Sequence, residues 1–457
     1  MPQFTLEEIV QATGAVVTGA REAAFTGIET DTRTIGDGAL FIALKGERFD
    51  GEDFLQKAQD AGAAGVLVSN GCAPEKTAGL SVPVFRVSDA LKAYQEIAGA
   101  WRRRFSIPVV AITGSNGKTT TKDLTASVLG ASFPVLRTEA NFNNEIGLPK
   151  TLLGLREEHR AAVVEIGMRG LGQIEALAPI AAPTVGVVTN VGETHIELLG
   201  SIENIARAKS EMVEALGEGG TAVLNADDPR VLTMREKAKN GVSVVTFGES
   251  EAADVRGTGI EQDGMESRFT ATFPDGKKHS YRLPLPGRHN ISNALAALAV
   301  GYVLGVAPEA MAAGLEAPAM SGARFACEKR GDYMVINDAY NASPLSMSAA
   351  IRTMKEIAQG RRVAVLGDML ELGDVAKSAH RRVGEELAAS GAAALVTRGP
   401  LGEEIAAGAE AAGMTEVYRC ASHEEAAATL KKILRPGDTV LFKGSHGMQM
   451  DKIIGLL

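Results

Sequence analysis

The chain has 457 residues, 45% of them hydrophobic and 23% charged, which excludes disorder as its main state. At roughly 150 residues per domain the length suggests about three domains. A net charge of −9 argues against a nucleic-acid binder, which needs positive charge to displace counterions from phosphates, so no nucleic-acid partner is expected. Three scattered cysteines, Cys72, Cys327 and Cys420, exclude a disulfide scaffold and a cysteine-built zinc site and suit a reducing cytoplasm.

The N-terminal stretch MPQFTLEEIV has neither a basic start nor a following apolar run, so no secretory signal is expected. Next come two polar loop segments, TDTR (30–33) and LKGERFDGEDF (44–54), which expose Asp31, Thr32, Arg33, Lys45 and Arg48. A first domain boundary is expected near 87, and the helical stretch SDALKAYQEIAGAWRRRF belongs with the VVAITG strand it leads into. From there a grammar recurs of short β-branched run, glycine turn and Ala/Leu-rich helix. VVAITG (109–114), AVVEIG (162–167), TVGVVTNVG (184–192) and RVAVLGD (362–368) are its strands. Strands alternating with helices imply parallel sheets covered on both faces, with ligands beyond the carboxyl ends of the strands. Between about 242 and 286 alternating segments such as RFTATF and HSYRLPL predict antiparallel strands on a domain rim. The apolar run 291–307, interrupted by Ser292 and Asn293, falls short of the about 20 residues of a membrane span and predicts a buried helix. No membrane insertion is therefore expected. EAPAMSGARF then marks a second boundary near 320. The fold class expected is α/β in three domains: a small N-terminal α/β domain (1–87), a central phosphate-loop parallel-sheet domain with an added antiparallel part (88–319), and a C-terminal Rossmann-like domain (320–457).

AITGSNGKTTTK (111–122) carries the sharpest chemical signal. A strand runs into Gly114, Ser115, Asn116, Gly117, Lys118, Thr119 and Thr120, and a helix comes next. Glycines let successive backbone N–H groups point at phosphate oxygens, and the helix N-terminus adds positive potential. Lys118 would reach the terminal phosphates and the Thr119 hydroxyl would hold Mg2+. The general motif has four residues between its glycines; here only two stand between them, and Ile112 takes the outer glycine's place. Glu165, ending a strand, is a candidate Mg2+ ligand, with helix capping or a salt bridge as its plainer role. His195 also follows a strand and by itself reads as packed or solvated as readily as ligating. Lys209 reads as a solvated helical charge. Asn290 and Asn293 stand one helical turn apart and could bond a base edge, although capping accounts easily for Asn290. Asp338, Tyr340 and Asn341 follow a strand in INDAYNASPLSM (336–347); Asp338 could bind a ribose hydroxyl, and Asn-Ala-Ser-Pro could equally be a turn. Lys443, in VLFKGSHGMQM (440–450), is a candidate anion contact.

Taken together these segments resemble the Mur ligases, the ATP-dependent amide-forming enzymes of peptidoglycan precursor assembly. The likeness runs essentially end to end: TDTR, LKGERFDG, the short phosphate loop, NFNNEIGLP (141–149), VVEIGM, NVGETHIELLGS, AKSE, NADDP (225–229), HNISNALAA, DAYNASP, LGDMLELG (366–373) and KGS. DAYNASPLSM, LGDMLELG and LKGERFDG look most like the branch that adds D-alanyl-D-alanine to UDP-N-acetylmuramoyl-tripeptide. The resemblance implies that Gly114 to Thr120 hold ATP, with catalytic roles for Lys118, His195 and Lys209. It also implies Mg2+, as two ions, served by Thr119, Glu165 and His195, with Lys209 matching a lysine that relatives carry as a carbamate. Asn290 and Asn293 would lie at adenine, and Arg324 and Asp338 would close over the nucleotide. Asp31, Thr32, Arg33 and Lys45 would receive the uridine diphosphate, and Asn143 and Asn144 the muramoyl-peptide end. Tyr340, Asn341, Lys443 and Ser445 would face the amino substrate. Two departures stand out: Gly322-Ala323-Arg324 where the family often has Gly-Arg, and His446 where it often has arginine after KGS. A cytoplasmic monomer acting on small molecules is the expectation.

The implied chemistry comes from charge. A carboxylate is a poor acyl donor, so the γ-phosphoryl group of ATP converts it to an acyl phosphate, which the dipeptide amine attacks with loss of phosphate. Lys118 and Mg2+ offset the repulsion between the anions, water must be excluded, and domain closure becomes a physical requirement. The alternatives are the diamino-acid-adding ligase, a folylpolyglutamate synthase-like ligase and, in another class, a P-loop ATPase with partner-binding domains. The missing DNPR string argues against the first, and the TDTR segment against the second.

Overall fold

A computed structural model describes residues 2–19, 22–47, 49–322 and 325–457, so Arg48 and Arg324 lie outside the described residues. The chain forms two compact units: residues 1–111, 133–166 and 175–184 make one, and residues 112–132, 167–174 and 185–457 the other.

In the first unit a five-stranded sheet has the order Val16–Thr18, Val84–Val87, Gly65–Ser69, Ala39–Ile42, Gly27–Glu29. Only the Val16–Thr18 pairing is antiparallel. Ala39–Ile42 is buried along its whole length, as a parallel strand covered on both faces must be. Gly65 is required there, because a Cβ would fall 2.7 Å from the Phe25 ring. The helix Ala90–Arg102 starts at Asp89, whose carboxylate accepts from the Lys92 N–H at 3.0 Å. It buries Ala93, Tyr94, Ile97, Ala98 and Trp101, an i, i+4 stripe. Trp101 packs its ring on Phe4 and Phe105 and donates from Nε1 to the Leu155 carbonyl at 3.1 Å. The nearly buried Arg102 donates to the carbonyls of Ala181, Phe105 and Ile107. This helix thus ties the N-terminal strand to the 133–184 segments. In the same unit the strands Val135–Arg137 and Ala161–Glu165 pair in parallel.

The second unit contains two sheets. In one, Val185–Val188, Thr221–Asn225, Ser243–Gly248 and Val255–Asp263 run parallel, and Glu266–Thr272 and Lys278–Leu283 continue antiparallel. The antiparallel part expected over 242–286 therefore begins only at 255. Ser243–Gly248 is instead a parallel strand whose last three residues are buried, which sets it inside the sheet. The predicted buried helix is Arg288–Val303, ending in a turn at Leu304 and Gly305. The other sheet has the order Ala326–Arg330, Tyr333–Asp338, Thr439–Lys443, Arg362–Gly367, Ala394–Arg398, Val417–Cys420, parallel except for its first pair. Alternate residues of Arg362–Gly367 serve two cores: Ala364 and Leu366 on one face, Val363 and Val365 on the other. No described helix is long and apolar enough to cross a membrane.

Truncating Trp101 removes both an aromatic contact and a carbonyl's partner. Trp101→Ala should cost about 3–5 kcal/mol, read as a lower urea midpoint by circular dichroism, since Trp101 is the chain's single tryptophan. An unchanged midpoint would contradict this packing role.

Candidate active site

The phosphate loop is built by two glycines that no other residue could replace. Gly114 has φ 146° and Gly117 φ 79°, both in the region that favours glycine. A Cβ on Gly114 would lie 1.9 Å from Thr189 Oγ1, and one on Gly117 2.4 Å from Asn293 Oδ1. The loop between them is clasped by the segment after the strand Val185–Val188. Asn190 Oδ1 accepts from the Asn116 N–H at 2.8 Å, and Thr189 Oγ1 and Asn190 Nδ2 donate to the Asn116 carbonyl at 2.7 and 3.0 Å. Ser115 Oγ donates to the Gly192 carbonyl and accepts from its N–H. Asp228, in NADDP, accepts from the Val191 N–H at 2.8 Å and so steadies the clasp. The helix Lys118–Gly130 then begins at Gly117. Lys118 Nζ curls back to the Gly114 carbonyl at 2.9 Å, and Thr119 is buried in the first turn.

One polar atom of the loop is orphaned: Asn116 Nδ2 is buried without a hydrogen-bond partner. A buried unpaired donor is costly unless a ligand meets it. The same side chain accepts, through Oδ1, from Ser343 Oγ at 2.8 Å, so the DAYNASP segment reaches the phosphate loop.

Lys209 is a correction to its solvated reading. Its helix, Ile202–Glu214, turns the lysine inward to 2% exposure, and no hydrogen bond or ion pair reaches it among the described residues. Burial, and after it the positive charge of Lys118, push its ammonium well below the ordinary lysine range. His195, half-buried at φ 60°, pairs through Nδ1 with Glu371. Burial holds its imidazole below the ordinary histidine range, against the opposing pull of Glu371. Among the described residues no three His, Cys, Asp or Glu side chains converge as a ready-made metal cage.

Asn290 and Asn293 share a helix face as expected, and both are buried. Capping does not account for Asn290: the helix cap is Gly287, and Asn290 Nδ2 donates to the Pro286 carbonyl at 2.8 Å. Asn293 donates to Asn290 Oδ1 and accepts from Thr121 Oγ1 at 3.2 Å, which fastens this helix to the phosphate-loop helix. Asp338 and Lys443, predicted separately, are brought together at 2.5 Å, and Lys443 Nζ also donates to the Asn341 carbonyl at 3.0 Å. Lys443 is thus a buried, paired cation at 2% exposure. Ser445 Oγ accepts from the Leu370 N–H at 2.8 Å, and the ring of His446 lies 5.6 Å from that of Tyr340.

In the first unit Glu165 is buried, with its N–H bonded to Thr138 Oγ1 and Oε1 accepting from Asn143 Nδ2 at 2.7 Å. Asn144 Oδ1 accepts from the Gly147 N–H at 2.9 Å and steadies the start of the helix Gly147–Leu153. Arg33 is exposed and folded onto Asp31, whose carboxyl it lowers to about 2. Thr32 is half-buried in the same turn, and the exposed Lys45 pairs with Asp50 at 3.6 Å.

Several residues of this arrangement escaped the sequence reading. Thr189 and Asn190 had a positional signal, polar residues directly after a parallel strand. Lys122 and Asp123 had none: both are fully buried, and between them they hold Ser321 by its backbone N–H and hydroxyl. Glu371 had none either, its partners being 176 and 202 residues away in sequence.

Family models match nearly the whole chain. The Mur ligase family catalytic domain matches residues 24–102, the Mur ligase middle domain residues 112–301, and the Mur ligase glutamate ligase domain residues 323–446. The UDP-N-acetylmuramoyl-tripeptide–D-alanyl-D-alanine ligase of Bacillus subtilis is 38% identical over 94% of this chain and 92% of its own. Among solved structures, MurF from Acinetobacter baumannii is similar with a TM-score of 0.91 at 31% identity, covering 100% of this chain and 98% of that one. MurF from Thermotoga maritima in complex with ADP has a TM-score of 0.83 at 26% identity, with 94% and 96% covered. With a phosphate loop of this form and matches of this extent, the chain belongs to the Mur ligase family.

Proposed function

We propose that this chain joins D-alanyl-D-alanine to UDP-N-acetylmuramoyl-tripeptide at the expense of ATP, giving the pentapeptide, ADP and phosphate. The observation that carries the reading is the buried, unpartnered Asn116 Nδ2 in a phosphate loop that Ser343 links to the DAYNASP segment. A donor held there without a partner suits an anionic oxygen, and the link brings the amino-substrate segment to where phosphoryl transfer occurs. The names of the similar proteins supply the substrates. We assign residues 1–87 to the uridine diphosphate substrate, 88–319 to ATP and 320–457 to the amino substrate.

In this reading Gly114 to Thr120 cradle the ATP phosphates, with Lys118 leaving the Gly114 carbonyl for the γ-phosphate. Thr119, Glu165, His195 and Lys209 are the residues we assign to Mg2+, as two ions. The oxygen donors among them, the Thr119 hydroxyl and the Glu165 carboxylate, are of the kind Mg2+ takes alongside phosphate and water. Bound Mg2+ supplies charge neutralisation where the carboxylate meets the phosphate. Lys209, buried with no counter-charge among the described residues and held well below the ordinary lysine range, would react with CO2 through its amine nitrogen. The products are a carbamate and a released proton, which places a carboxylate where the amine stood. Asn290 and Asn293 line the adenine side, and Asp338 closes over the nucleotide with Arg324. Asp31, Thr32, Arg33 and Lys45 receive the uridine diphosphate once Arg33 releases Asp31. Asn143 and Asn144 face the muramoyl peptide, and Tyr340, Asn341, Lys443 and Ser445 the dipeptide.

Phosphate release in a complete mixture, with each component omitted in turn and the product weighed by mass spectrometry, tests the function. Release that needs both acyl and amino substrates, with a pentapeptide product, is expected. Release that depends on a free diamino acid or glutamate would move the chain to another branch, and release indifferent to every acyl substrate would favour a simple ATPase. Lys118→Ala should lower turnover by at least about 100-fold; near-normal turnover would remove Lys118 from the phosphate site. With 13C-labelled bicarbonate, the wild-type enzyme should show a carbamate carbon resonance that Lys209→Arg lacks, and an identical spectrum in both would leave Lys209 unmodified.

A further inference from the structure

Glu371 has no part in the proposed chemistry, yet it is held on every side. It lies after the strand Arg362–Gly367 at φ 62°, a left-handed conformation that costs a non-glycine residue of order 1–3 kcal/mol. Facing it is His195, also left-handed at φ 60°. One carboxylate oxygen of Glu371 pairs with His195 Nδ1 and the other with Arg169. Its carbonyl accepts from the Glu197 N–H at 3.3 Å, and a Cβ on Gly373 would sit 3.3 Å from Glu197 Cα, so the loops after two different sheets fit against one another. Strained backbone on both sides of one ion pair signals a geometry that the surroundings enforce.

The chemistry of the pair fixes more than position. A carboxylate only accepts, so His195 donates from Nδ1, and in the neutral imidazole it is then Nε2 that carries the lone pair. Among the described residues Nε2 has no hydrogen-bond partner, while the ring retains 28% exposure. A histidine that gives one N–H to a carboxylate and presents the other nitrogen outward is the arrangement that orients a metal-ligating imidazole. We propose that Glu371 is a positioning residue that locks His195 in the Nδ1–H tautomer with Nε2 presented for the second Mg2+. Arg169 offsets the charge of Glu371 and, by holding Oε1, aims Oε2 at His195. Glu371 and His195 lie on loops that follow two different sheets, so the imidazole is correctly set only where these loops meet, and metal affinity reports that contact. This inference rests on the proposed role of His195 at the metal.

The test joins two measurements on the full-length enzyme. Long-range 1H–15N correlation of the histidine side chains, in metal-free protein, reports the tautomer of His195, whose signals are identified by their loss in His195→Gln. Mn2+ titration by electron paramagnetic resonance in the presence of ADP reports the metal. The wild type should show the Nδ1–H tautomer, Glu371→Ala should lose that preference, and Glu371→Gln, which keeps an acceptor, should restore it. Mn2+ affinity should fall by about 10-fold or more in Glu371→Ala and by less in Glu371→Gln. An unchanged tautomer in Glu371→Ala, or a Mn2+ affinity that stays the same or rises, would overturn the proposal. If His195→Gln binds Mn2+ as the wild type does while the tautomer still depends on Glu371, the metal assignment of His195 has failed and the inference falls with it, although the hydrogen bond stands.

Discussion

Everything chemical in this protein depends on how closely the Gly114–Gly117 turn can approach its neighbours. Both glycines adopt positive φ, and each leaves no room for a Cβ against Thr189 or Asn293. That closeness lets the segment 189–192 grip the loop from one side while the helix Arg288–Val303 abuts it from the other. A loop held this way keeps its N–H groups aimed without spending binding energy on ordering them, which is the physical meaning of preorganisation at a phosphate site. The same rigidity leaves Asn116 Nδ2 buried and unpaired among the described residues, a cost that a bound anionic oxygen would offset.

Close to this loop lies one buried lysine, Lys209, that no hydrogen bond or ion pair reaches among the described residues. Burial, with the charge of Lys118 after it, pushes its ammonium well below the ordinary lysine range. Two other buried lysines are paired: Lys122 with Asp123, and Lys443 with Asp338. The contrast separates two roles that composition cannot. A paired buried lysine holds segments together, and Lys122 with Asp123 does so for Ser321 at the proposed entry to the last domain. An unpaired one awaits chemistry or an anion.

Polar side-chain links between the phosphate-loop region and the 320–457 segment include Ser343 to Asn116, Ser321 to Lys122 and Asp123, Glu371 to His195 and Arg169, and Arg382 to Glu193. None is a large apolar surface. Polar links of this kind form and break at modest cost, which suits a reaction that must admit substrates and then exclude water.

The parallel-sheet grammar, the phosphate loop and the buried helix after 287 were legible in sequence because their signals are local. A β-branched run ending in glycine, a GKT before a helix, and a nearly apolar stretch each carry their physics within one short segment. Local pattern also set Asn290 and Asn293 on one face, but capping was the wrong plain role for Asn290, since Gly287 starts that helix earlier. Ser243–Gly248 was misassigned to the antiparallel rim because alternation in a short strand does not reveal whether a parallel neighbour covers it. What only the tertiary structure decided is which charges are buried and who meets them. Lys209 and a solvated lysine read alike along a helix, and Glu371 finds His195 and Arg169 across 176 and 202 residues. The reason is physical: propensity and periodicity act over a few bonds, whereas desolvation and ion pairing depend on distances that the chain establishes only once it has folded.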